Sequence, residues 1–120
     1  MAIPAVYLLV ELTIHDGKFD AFKGVAQEMT AGSQTEAGTL AYEWHLSSDR
    51  KHCRLVESYA TPDDLLAHLN GPVVQQLVPK LLQHAKLERF ETYGDPGLQA
   101  AAMLAGLGGQ IFSRWQGLKR

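Results

Sequence analysis

The chain has a single cysteine, Cys53, in 120 residues. That excludes an internal disulfide framework and any paired-cysteine metal knuckle, and it fits a reducing compartment. An excess of one charge is also missing: 11 basic against 13 acidic residues leave a formal net charge of -2. No basic field draws the chain to phosphate backbones or anionic lipid, so neither nucleic acid nor membrane is an expected partner. The apolar N-terminal stretch "MAIPAVYLLVELTI" has no positive leader and no small-residue cleavage site, and Glu11 interrupts it well short of a membrane span. A soluble, cytoplasmic protein is expected. His15, His45, His52 and His84 show neither HxH nor HExxH spacing, so no metal is expected. "GLGG" at 106–109 has no strand before it and no lysine, which makes it a poor phosphate loop.

What is present is a core. With 46% hydrophobic content, a chain of this length supports one domain and is too short for two ordinary ones. From Val6 to Ile14 the even positions are Val, Leu, Val, Leu and Ile, a period of two that predicts a strand with one strongly apolar face. Phe19, Phe22, Ala26 and Met29 recur at helical spacing and predict a helix closed by Gly38. A second alternating run from Thr39 places Leu40, Tyr42, Trp44 and Leu46 on one side. A third sets Cys53, Leu55, Glu57 and Tyr59 against Arg54, Val56 and Ser58, and the polar turn between the two runs predicts a hairpin. Thr61, Pro62 and Asp64 fit an N-cap, a first-turn proline and a carboxylate near the helix start. A helix over about 62–70 follows. After Gly71 and Pro72 a helix restarts with Val74, Leu77, Val78 and Leu81 inward, bent at Pro79. Residues 87–93 read as a fourth strand.

The order strand, helix, strand, strand, helix, strand is the split βαβ pattern. It predicts an α+β, ferredoxin-like domain, a four-stranded antiparallel sheet with helices on one face, over residues 1–95. Residues 96–120 form a C-terminal extension whose Leu104, Leu107, Ile111, Trp115 and Leu118 make one helical stripe, interrupted by "GLGG". Such a sheet leaves one face bare, carrying Leu9, Val56 and either Phe90 or Tyr93. A homodimer with the two sheets face to face would cover it.

Two groups could do chemistry. By alternation Glu57 projects to the helix-covered side, where burial without a partner raises a carboxyl pKa. His68 sits on the flank of the apolar stripe of the second helix. A neutral imidazole in a dry pocket could act as a general base. The alternatives are structural: His68 bonding a backbone carbonyl or Asp64, and Glu57 paired with Arg89 or Arg54. Tyr42 and Trp44 are either core or the flat wall of a pocket.

The stretch "ESYATPDDLLAHLNGP", residues 57–72, resembles the antibiotic biosynthesis monooxygenase family. There E-x-[WY] closes the third strand and L-x-A-H-L-x-x-P lies in the following helix. Glu57, Tyr59, Leu65, Ala67, His68, Leu69 and Pro72 match, "GTLAYEW" resembles the second strand, and the likeness spans about residues 5–93. It is nearest the small quinol monooxygenase branch. The resemblance implies a subunit of the dimeric α/β-barrel type that oxidises a quinol or polycyclic phenol with dioxygen and needs no cofactor. It implies His68 and Glu57 as the catalytic pair, with Tyr42, Trp44, Tyr59, Phe22 and Leu65 against a small aromatic substrate. Haem-degrading relatives resemble one another in a strand-one asparagine, a helix tryptophan and a haem-ligating histidine; Val10, His68 and about Leu77 stand there, so haem is not expected. A different reading of the same fold is a non-catalytic, stress-associated dimeric module that binds a small ligand.

Overall fold

The computed structural model describes residues 4–118 and 120. The alternating run forms β1 (Val6–Ile14), α1 is Phe19–Gln34, and β2 (Thr39–Leu46) and β3 (His52–Tyr59) form the expected hairpin. α2 (Pro62–Asn70) begins where the sequence places it: the Thr61 hydroxyl accepts from the Asp64 backbone N–H, with Pro62 in the first turn. Beyond it come a π-helical segment, Val73–Leu77, α3 (Val78–Leu81), β4 (Ala85–Tyr93), α4 (Leu98–Gly106) and β5 (Gln110–Phe112). The sheet order is β2-β3-β1-β4-β5, antiparallel throughout except that β5 runs parallel to β4. This is the ferredoxin-like α+β fold with one strand added at an edge.

Three expectations change. The helix expected to bend at Pro79 is instead a π turn followed by a short α turn. Pro79 falls in the first turn of α3, where a missing N–H costs nothing. α1 stops at Gln34, before Gly38. Gly38 serves a different purpose: a Cβ there would lie 2.0 Å from Asp64 Cγ, so only glycine lets this loop press onto the start of α2. The tail stripe is not one helix. α4 ends at Gly106, the Gly109 N–H returns to the Leu104 carbonyl at 2.8 Å, and Gly108 takes φ +81°. The chain then turns into β5, leaving Trp115 and Leu118 exposed.

The register of β4 is set by a bulge. Glu11 pairs with Arg89 but Leu12 with Leu87, so Glu88 is an extra residue and the alternation resets across it. Phe90 therefore turns to the helices, and Tyr93 to the open face with Tyr7, Leu9 and Val56. The covered face holds two apolar clusters. One joins Leu12, Phe22, Met29, Cys53 and Leu81; the other joins Val6, Leu8, Tyr59, Leu65 and Leu69 with Ala100 and Leu104 of α4. The C-terminal extension thus supplies core residues. No helix among the described residues is long and apolar enough to cross a membrane.

Candidate functional site

A hollow of about 80 Å³ lies between the sheet and the helices. Its wall is nearly all apolar, including Leu8, Leu55, Leu69, Val74 and Phe90, and its polar corner is formed by Tyr42, Glu57 and His68. Tyr42 and Glu57 face each other across the β2–β3 ladder. Period-two alternation keeps both on the helix side, and α2 lowers His68 onto them because positions 65, 68 and 69 share its buried face.

Within this corner His68 Nε2 is 3.8 Å from Glu57 Oε1, and the Tyr59 hydroxyl donates to that same oxygen at 2.5 Å. The imidazole is 2% exposed and its ring centre is 5.3 Å from that of Tyr59 and 5.6 Å from that of Tyr42. Burial pushes the Glu57 pKa up, and His68 and the Tyr59 hydrogen bond pull it back only in part. Burial and then the Glu57 charge raise both Tyr42 and Tyr59 far above the ordinary phenol range. Both phenols stay protonated, and Tyr59 is a donor to Glu57. Among the described residues no arginine pairs with Glu57. Arg54 and Arg89 both pair with Glu11, at 2.7 and 2.9 Å, on the opposite face, which removes the proposed structural partners of Glu57. Asp64 is occupied by Thr61, and is not the partner of His68.

The remaining residues taken from the sequence lie behind this corner. Trp44 donates through Nε1 to the Thr30 hydroxyl at 2.8 Å and meets Phe22 edge-on, ring centres 5.9 Å apart, so the pair pins α1 to β2. Leu65 is buried in the cluster beside Tyr59. Neither Trp44, Phe22, Leu65 nor Tyr59 is part of the hollow's wall. Glu36 escaped the sequence reading. It stands in the turn after α1, and its Oε1 is 2.7 Å from His68 Nδ1 and accepts from the Thr39 hydroxyl at 2.7 Å. A lone glutamate in a polar turn, 32 residues from the histidine, carries no periodic signal that could have revealed it.

The hollow is small beside ordinary ligand pockets of about 300–1,000 Å³. Leu82 and Leu107, both partly exposed, line it and form its mouth. A ring ligand needs more room than this, so side chains of the wall must shift to admit one.

The fold recurs in known structures. MupZ from Pseudomonas fluorescens is 24% identical and superposes with a TM-score of 0.78, over 96% of this chain and 93% of that one. A conserved protein of unknown function from Bacteroides thetaiotaomicron is 25% identical, with a TM-score of 0.66 over 72% of this chain and 93% of its own. An antibiotic biosynthesis monooxygenase is 17% identical, with a TM-score of 0.64 over 72% of this chain and 92% of its own. No curated protein matches the chain. The family model of the antibiotic biosynthesis monooxygenases matches residues 5–80, the segment that contains β1 and every residue of the polar corner, and the chain belongs to that family.

Proposed function

We propose that the protein is a cofactor-independent monooxygenase that oxidises a quinol or related phenol with dioxygen. One observation carries the reading: an imidazole and a carboxyl group with no lysine or arginine paired to it among the described residues share one hollow that, Tyr42 apart, is walled by apolar side chains. Triplet oxygen reacts poorly with a closed-shell phenol, whereas the phenolate can transfer one electron to it. The two radicals then combine and the peroxide eliminates water. The protein's part is to take the phenol proton at His68 Nε2, hold the anion and exclude bulk water. Glu57, fixed by Tyr59, sets the polarity beside Nε2, and Tyr42 offers a hydroxyl to the substrate oxygen. Trp44, Phe22 and Leu65 back this corner rather than touch the ring.

The reading includes a homodimer joined through the open sheet face, where Tyr7, Tyr93 and Phe112 are exposed together and Tyr93 packs on Phe112 at 5.9 Å. It also places the chain in a reducing, cytoplasmic setting, which suits a lone buried thiol whose pKa burial lifts to about 11.

Oxygen uptake against a panel of quinols and anthrones tests the activity. His68→Ala and Glu57→Gln should each slow turnover by about 10²-fold or more, the lower end of what a positioned base supplies, with the oligomer intact. Wild-type rates in both variants would remove these roles. The small volume of the hollow favours a second reading, a binding module with no turnover. Tight ligand binding with uptake no faster than buffer alone would establish that one instead.

A further inference from the structure

Three ionisable groups line up through the polar corner, Glu36 hydrogen-bonded to the His68 imidazole and Glu57 3.8 Å from its other nitrogen, and they differ in exposure. Glu57 and His68 side chains are 6% and 2% exposed, while that of Glu36 is 23% exposed. Glu36 is also held from several sides. Its backbone N–H bonds the Ser33 carbonyl, its carbonyl accepts from the Thr39 N–H, and Thr39 Oγ1 donates to the oxygen that meets the imidazole.

We propose that Glu36 is a positioning residue for the reaction: it fixes the tautomer of His68 and stabilises the imidazolium formed when His68 takes the substrate proton. This rests on the reading of His68 as the base. A neutral imidazole carries one N–H, and a carboxylate can only accept. With Glu36 Oε1 2.7 Å from Nδ1, the proton sits on Nδ1 and the Nε2 lone pair faces Glu57 and the hollow. In the reaction the substrate O–H bond breaks and an Nε2–H bond forms. The positive charge this creates on the ring lies directly beside the Glu36 carboxylate. When the peroxide eliminates water, the same proton passes from Nε2 to the departing oxygen and the base is restored. Glu36 touches neither substrate nor oxygen; it acts through the ring.

The experiment compares Glu36→Ala, Glu36→Gln and Glu36→Asp, with ¹⁵N-histidine labelling and steady-state kinetics. In the wild type the neutral His68 ring should be the Nδ1–H tautomer. Glu36→Gln, whose amide oxygen can still accept, should keep that tautomer and lose at least about tenfold in kcat with KM nearly unchanged, a share of the 10²–10⁴-fold due to a positioned base. Glu36→Ala should lose both the tautomer and the rate, and Glu36→Asp should recover part of each. An unchanged tautomer in Glu36→Ala, or an unchanged kcat in Glu36→Gln, would overturn the proposal. Should Glu36→Ala fail to fold, the isosteric Gln variant decides alone. The nitrogen spectra need no substrate, so a wild type inactive toward quinols would defeat the quinol reading while the tautomer still reports whether Glu36 sets His68.

Discussion

Glu57 on β3 and Glu11 on β1 are the same residue on adjacent strands, and the sheet gives them opposite lives. Glu11 looks out on the open face between Arg54 and Arg89, both within 3 Å. Glu57 looks the other way into hydrocarbon, with a phenol at 2.5 Å and the His68 imidazole at 3.8 Å. One carboxylate is satisfied by charge, the other by a hydrogen bond from a neutral donor. The difference follows from side-chain parity along two strands whose register pairs Leu8 with Glu57 and Glu11 with Arg54. It shows why a carboxylate's role here is decided by its face and not by its nearest basic residues in sequence.

The covered face should also dominate stability, and the tail offers the strongest contrast. Leu104 of α4 is fully buried against Leu8, Tyr59 and Leu65, whereas Trp115 is 87% exposed. Leu104→Ala should cost about 2–5 kcal/mol, the range for a buried leucine that leaves a cavity. Trp115→Ala should stay within about 0.5 kcal/mol, as an exposed substitution with nothing to lose. Urea denaturation of both variants checks this. Equal losses would mean that residues after β5 are covered by a second copy or another partner.

Glu57 gives the next largest effect, visible as a pH dependence. Its pKa is raised in the folded state, so between the ordinary carboxyl value of about 4.5 and the folded value the native protein holds more protons than the unfolded chain. Stability therefore falls as pH rises through that window. Below it the group is protonated in both states and contributes no penalty. Glu57→Gln keeps an acceptor for the Tyr59 hydroxyl but cannot ionise. Its melting temperature should match the wild type near pH 4 and exceed it increasingly as pH rises through the window above about 4.5. Parallel curves over that range would show that Glu57 carries its charge at no cost, and the contrast with Glu11 would collapse.

Much of this was legible in the residues. Alternation over Val6–Ile14 and Cys53–Tyr59, with the Thr61–Pro62–Asp64 cap, placed β1, β3 and α2 and turned Glu57 and His68 inward, because these are short-range properties of a period and a cap. What escaped the reading depends on contacts between distant segments. The β4 bulge at Glu88 decides which of Phe90 and Tyr93 faces the helices, a choice that alternation leaves open. β5 formed because an existing strand edge accepted Gln110–Phe112 after the glycines ended α4, where apolar periodicity alone extends the helix. Glu36 meets His68 across a loop whose Gly38 lies against Asp64 of α2, where a Cβ would clash. Trp44 reads as either core or pocket wall from strand position alone, and the hydrogen bond to Thr30 on α1 shows it to be a strut.

The smallest effect belongs to Glu11, and it reports on the open face. Its ion pairs join a mostly buried carboxylate to arginines that are 45% and 61% exposed. Two such pairs hold their side chains in place at an entropic cost and are screened by salt, so each is worth about 0.2–1 kcal/mol. Glu11→Gln should therefore lower stability by about 1 kcal/mol at low ionic strength and by less in 1 M salt, with no pH profile like that of Glu57→Gln. Denaturation at two salt and two protein concentrations measures both dependences. A loss of about 3–5 kcal/mol that salt does not reduce and dilution deepens would put the triad inside a buried interface, where removing one partner strands the arginines. The open face would then be as dry as the covered one, and the two glutamates would differ in partners alone.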